Sequence, residues 1–113
     1  MGIKRAWRLK SQADVQRVWQ QGGTWAHPLL VLRARANGLA DTRVAFVVSK
    51  KVGNAVARNR AKRRMREVTR HAFPRIASGY DVVLIGRPPL VTAPFDQVAA
   101  ALAAVLGRAN LLK

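Results

Sequence analysis

The sequence predicts an α+β domain, an α/β sandwich whose helices pack on a mostly antiparallel sheet. Three observations predict it. Periodicity and local signals give the order helix, strand, strand, helix, strand, helix. Residues 80–87 form a nearly continuous apolar run, which suits a central strand covered on both faces. The chain has 113 residues, half of them apolar, enough for one core and too few for two ordinary domains.

The first helix is expected over residues 12–20, with Ser11 as its cap and Gly22 and Gly23 ending it. Val15, Val18 and Trp19 make its apolar edge. A strand follows over residues 24–36, broken or started by Pro28. The turn pair Asn37 and Gly38 then leads to a second strand over 43–49, so the two are expected to form a hairpin. Gly53 and Asn54 open a long helix that runs to about His71 and stops before Pro74. Pro88 and Pro89 end the strand over 80–87. A last helix starts near Pro94, with Phe95, Val98, Leu102, Val105 and Leu106 as its buried stripe.

Charge points to a polyanion. The chain carries 21 Lys and Arg against 5 acidic residues, a net +16. Charge of that size attracts nucleic acid or anionic membrane and repels itself in the folded state. Nine cations fall between Val48 and His71, where only Glu67 is acidic. On a helical wheel Ala57, Ala61, Met65, Val68 and Ala72 share one side, opposite Asn59, Arg63, Arg66 and Arg70, with Lys62 close by. A helix with one buried face thus presents a rigid cationic stripe on the other.

Other classes are disfavoured. There is no cysteine, so no disulfide framework or thiolate zinc site forms. The longest apolar run, residues 98–106, falls short of the ~18 of a membrane span. Lys4, Arg5, Arg8 and Lys10 have no apolar stretch behind them, unlike a secretory signal, and Ala6 stands where a myristoylation signal has Ser or Thr. The five acids, Asp14, Asp41, Glu67, Asp81 and Asp96, are scattered singly. His27 and His71 have no partner pattern, and Ser11, Ser49 and Ser78 have no nucleophile context. No catalytic residue is expected on the chain.

The segment Ser49-Lys50-Lys51-Val52-Gly53-Asn54-Ala55-Val56, followed by Arg58-Asn59-Arg60, Lys62-Arg63 and Arg66, resembles the protein subunit of bacterial ribonuclease P. Arg8-Leu9-Lys10 and the strand before Arg87 sit where that family has similar residues. The resemblance covers about residues 5–110. It implies a fold similar to the second domain of ribosomal protein S5, with a left-handed strand-helix-strand crossover where nearly all such units are right-handed. It implies membership of an enzyme that removes the 5′ leader from precursor tRNA, with the catalytic centre and its magnesium ions in the partner RNA. The implied partners are ribonuclease P RNA and the leader, with no membrane and no obligate protein partner, in the bacterial cytoplasm.

The resemblance also assigns residues. Arg58, Asn59, Arg60, Lys62, Arg63 and Arg66 match the signature helix that meets the RNA, Arg70 continues it, and Lys50, Lys51 and Asn54 lead into it. Some of these are alternatively caps or partners of Glu67. Arg58 and Arg64 flank the apolar face, where either would lie over the core with its head exposed. The leader-binding cleft would lie between the first helix and the sheet. Trp19 falls at one of its aromatic positions. Val15 and Arg33 fall at others where the family often carries Phe or Tyr, and Arg33 would stack its guanidinium or bind phosphate instead. Trp19 as a core residue is the alternative. Trp7 and Trp25 receive no role. A ribosomal protein or RNA chaperone is the runner-up function, and a cationic membrane-surface protein the third.

Overall fold

A computed structural model of the chain describes residues 7–113; Lys4, Arg5 and Ala6 lie outside them. The chain forms α1 (Gln12–Gln21), β1 (Gly23–Ala26), β2 (Leu30–Ala36), β3 (Arg43–Val48), α2 (Ala55–Ala72), β4 (Tyr80–Gly86) and α3 (Phe95–Arg108). The strands make one sheet in the order β1-β2-β4-β3. β1 with β2 and β2 with β4 are antiparallel, and β3 with β4 is parallel through α2.

One expectation about the strands is borne out, the break at Pro28, and one is corrected, the hairpin. The strand expected over 24–36 is two strands. Pro28 interrupts it, and the turn closes through His27 N–H to the Leu30 carbonyl (2.9 Å) and Leu29 N–H to His27 Nδ1 (3.0 Å). The strands on either side of Asn37 and Gly38 do not pair, because β4 lies between them. Four successive β4 residues, Asp81 to Leu84, are buried, and only a central position covers both faces of such a strand. The turn itself still forms: Gly38 takes φ +72°, and Leu39 N–H donates to Asn37 Oδ1 at 2.7 Å.

The helix starts follow local chemistry. Ser11 Oγ accepts from Asp14 N–H at 3.4 Å and Asn54 Oδ1 from Ala57 N–H at 3.0 Å, each satisfying an otherwise unpaired first-turn donor. Gly53 precedes Asn54 at φ +141°, a backbone conformation that side chains disfavour. At Gly22 the need is space, since a Cβ there would meet the Val18 carbonyl oxygen at 2.5 Å.

One face of the sheet is covered by two helices. Leu30, Leu32, Ala34, Val44, Val82 and Leu84 meet Ala61, Met65 and Val68 of α2 and Val98, Leu102, Val105 and Leu106 of α3. Phe95 does not join this stripe as expected. It is the first residue of α3 and stands 46% exposed. Ala57 and Ala72, at the two ends of the α2 apolar side, are only half-buried. The opposite sheet face carries α1 alone, with Val18 in a smaller cluster with Leu9 and Val83. Leu9 N–H bonds the Val44 carbonyl at 2.9 Å, so the amino-terminal segment lies along the free edge of β3.

Candidate nucleic-acid interface

The α2 cations divide into two groups that look alike in sequence. Arg60, Lys62 and Arg63 have no partner for their charged heads among the described residues. The others are engaged. Arg58 Nη1 donates to the Gly53 carbonyl at 3.1 Å, and Arg66 lies over the Phe46 ring, 5.6 Å from its centroid. Arg64 donates to the carbonyl of Ala93 in the segment before α3. Arg70 Nη2 pairs with Glu67 Oε1 at 2.5 Å, and His71 Nε2 lies 3.2 Å from the same oxygen. The hydrogen bond from Arg70 holds the Glu67 carboxyl below its usual range and raises the Arg70 guanidinium. Lys50 and Lys51 are exposed on a short turn of 3-10 helix, Lys50–Val52, that leads into α2. Asn59 is exposed on α2, and Asn54 commits its side-chain oxygen to the helix cap.

A second cationic surface lies on the α1 side of the sheet. Strand register stacks three rows there: Arg35, Asp81 and Arg43; Arg33, Val83 and Ala45; Val31, Ile85 and Val47. Asp81 is fully buried and is held by Arg43 in a two-pronged pair, Nε to Oδ1 at 2.9 Å and Nη2 to Oδ2 at 2.8 Å. Asn37 Nδ2 adds a third bond to Oδ1 at 2.9 Å. These bonds to Asp81 raise the Arg43 pKa above its ordinary value. Arg43 also reaches Asp14 of α1, Nη1 to Oδ2 at 3.3 Å, so it ties helix to sheet. Val31, Ile85 and Val47 stay half-exposed and give this face an apolar floor.

The three residues expected in a cleft do come together on this face. Val15 is half-buried against the Leu9, Val18 and Val83 cluster. Trp19 is 38% exposed at the end of α1, so it is not a core residue. Arg33 lies over its ring, 5.0 Å from the centroid. Nη1 of Arg33 donates to Thr24 Oγ1 at 2.7 Å, and Nη2 donates to the Trp19 carbonyl. A cation thus sits at the C-terminal end of the α1 dipole. The Arg33 guanidinium, expected to stack on a base or bind phosphate, lies instead over this chain's own indole.

Sequence reasoning missed what joins the two surfaces. Arg8 and Lys10, beside Phe46, share a depression with Lys62 and Arg66 at the β3 edge. Cationic side chains of the amino-terminal segment and of α2 therefore meet at the β3 edge. Arg43 and its buried acid were also missed, since the two lie 38 residues apart in the chain. Of the unassigned tryptophans, Trp7 stacks on Phe73 at 4.0 Å and Trp25 packs against the main core. Among the described residues, no three His, Asp or Glu side chains converge on one point, and no helix is long and apolar enough to cross a membrane.

The family model for Ribonuclease P matches residues 3–110. The chain belongs to the ribonuclease P protein family. It is 41% identical over 112 residues to the ribonuclease P protein component of Roseiflexus castenholzii, covering 98% of this chain and 92% of that protein. The corresponding protein of Chloroflexus aurantiacus is 42% identical over 111 residues, covering 97% and 82%. Solved structures agree. The ribonuclease P protein of Staphylococcus aureus superposes with a TM-score of 0.84 at 33% identity over 96% of this chain and all of that one. That of Thermotoga maritima gives 0.81 at 31% identity, covering 89% and 96%. These ribonuclease P proteins share the mixed sheet and three helices, so the family fold expected from the signature segment is the fold this chain has.

Proposed function

We propose that this chain is the protein subunit of a bacterial ribonuclease P that trims the 5′ leader from precursor tRNA. In this reading its partner RNA supplies the catalytic centre. The observation that carries it is the signature helix: Arg60, Lys62 and Arg63 stand unpartnered among the described residues on α2, clear of the face buried against the sheet. Free guanidinium forks and an ammonium held on one rigid element suit the phosphates of a folded RNA. Lys50, Lys51, Asn59 and Arg66 widen that contact.

The leader crosses the α1 face, where the partly exposed Trp19, with Arg33 over its ring, offers stacking and Val31, Ile85 and Val47 offer an apolar floor. The chain's part in the reaction is to bind and orient. Its cations lower the repulsion between two RNAs, raising the affinity for precursor and for the magnesium ions that the partner RNA holds. The place of action is the bacterial cytoplasm.

The test is cleavage of precursor tRNA by a bacterial ribonuclease P RNA at low magnesium, with and without the protein. Cleavage at the mature 5′ end only when both are present is the expected result. A folded protein that binds RNA yet adds nothing to cleavage would sink the reading in favour of an RNA chaperone or ribosomal protein.

A further inference from the structure

Phe95 is out of place for a large aromatic residue. It opens α3 at 46% exposure, while the rest of the apolar stripe behind it is buried. The ring stands as a ridge between two depressions. One, of about 210 Å3, is an apolar groove between α2 and α3 with Val68, Leu106 and Leu112 in its lining. The other, of about 380 Å3, is lined by Arg60, Arg63, Arg64, Glu67 and the ring itself. Two of those arginines, Arg60 and Arg63, are among the free cations of the α2 stripe.

The surroundings hold the ring in place. Arg64 donates to the Ala93 carbonyl, two residues before Phe95, and so fastens the start of α3 to the middle of α2. His71 meets the ring perpendicularly, with centroids 6.1 Å apart. Glu67 is in turn held by Arg70 and faces His71. An aromatic side chain and a carboxylate are thereby held beside one hollow that two free guanidinium groups also line.

Building on the RNA-subunit reading, we infer that this hollow binds an unpaired base of the partner RNA, stacked on Phe95, with Arg60 and Arg63 on its flanking phosphates. Phosphate contacts fix position and carry no base information, whereas an aromatic face accepts any unstacked base. The lone acid of the helix has a role in this arrangement. A carboxylate only accepts hydrogen bonds, so the acceptor capacity that Arg70 and His71 leave to Glu67 suits a base edge bearing amino or imino hydrogens. Continuity with the α2 stripe favours RNA over a protein partner here. The apolar groove lies on the other side of the ring.

The test is equilibrium binding of the full chain to a bacterial ribonuclease P RNA by wild type, Phe95→Leu and Phe95→Trp. Leucine keeps apolar bulk and removes the π face; tryptophan keeps and enlarges that face. Phe95→Leu should weaken binding roughly fivefold to tenfold, the low end for one base–aromatic stack because leucine keeps apolar contact. Phe95→Trp should restore wild-type affinity, and the emission it adds should be quenched when RNA binds. Thermal unfolding of each protein verifies that it is folded. Equal affinity for all three folded proteins would overturn the base site and leave the subunit reading standing. A loss in Phe95→Leu that tryptophan does not restore also overturns it, since packing alone then explains the effect. Failure of the wild type to prefer this RNA over an unrelated one removes the subunit reading itself.

Discussion

The two faces of the sheet are built for different ends. On one, Leu30, Leu32, Val82 and Leu84 lie under two helices and are almost wholly buried. On the other, α1 covers Val83 with Val18, while Val31, Ile85 and Val47 remain half-exposed beside Trp19 and a row of arginines. Adjacent residues of one strand, Leu84 and Ile85, therefore face a dry core and an open surface. The first face supplies stability, which a chain at net +16 needs against its own repulsion. The second is left accessible, and an accessible apolar floor edged with cations is suited to single-stranded RNA.

The largest effect should come from cutting into the covered face. Leu84→Ala should cost roughly 2–5 kcal/mol of stability in denaturant unfolding. Ile85→Ala should cost about half of that or less, because part of its side chain is already in water, and should weaken leader-bearing precursor instead. Equal stability losses would erase the distinction between the faces. Next come the α2 cations. Arg60→Ala and Arg63→Ala should each weaken binding to the partner RNA by roughly 1–3 kcal/mol with little change in melting temperature. Arg64→Ala should act mainly on the fold, lowering melting temperature through loss of its bond to Ala93 and weakening RNA binding less than Arg60→Ala. Affinity loss in Arg64→Ala equal to that in Arg60→Ala would show that the bound and free cations act alike.

Trp19→Ala should weaken affinity for leader-bearing precursor by roughly 1–3 kcal/mol and leave mature tRNA nearly unaffected. Equal loss on both substrates would make the indole merely a platform for Arg33. The smallest effect concerns Glu67, whose carboxyl Arg70 holds below its ordinary range. A depressed folded-state value stabilises above the ordinary carboxylate pKa, and that contribution fades as pH falls through the depressed value. Thermal unfolding followed from neutral to acid pH should therefore show a slightly steeper acid loss in wild type than in Glu67→Gln. Parallel curves would mean the pair adds nothing to stability.

Much of this protein was legible in its sequence where the physics is local. Ser11 and Asn54 cap helices because a short polar side chain reaches a donor three residues on, and Gly53 supplies the turn before the second cap. The buried and charged sides of α2 follow from spacing alone, and the signature segment named the family. Tertiary structure decided what depends on distant partners. The turn at Asn37 and Gly38 joins strands that do not pair, because β4, apolar on both faces, takes the place between them. Arg64 and Arg63 are neighbours with the same charge, yet one finds a carbonyl 29 residues away and the other finds none among the described residues. Phe95 continues a helical apolar stripe in sequence but lies at the helix start, beyond the reach of the sheet that covers the rest. Spacing along a chain sets which residues share a face; only packing sets how far the cover over that face extends.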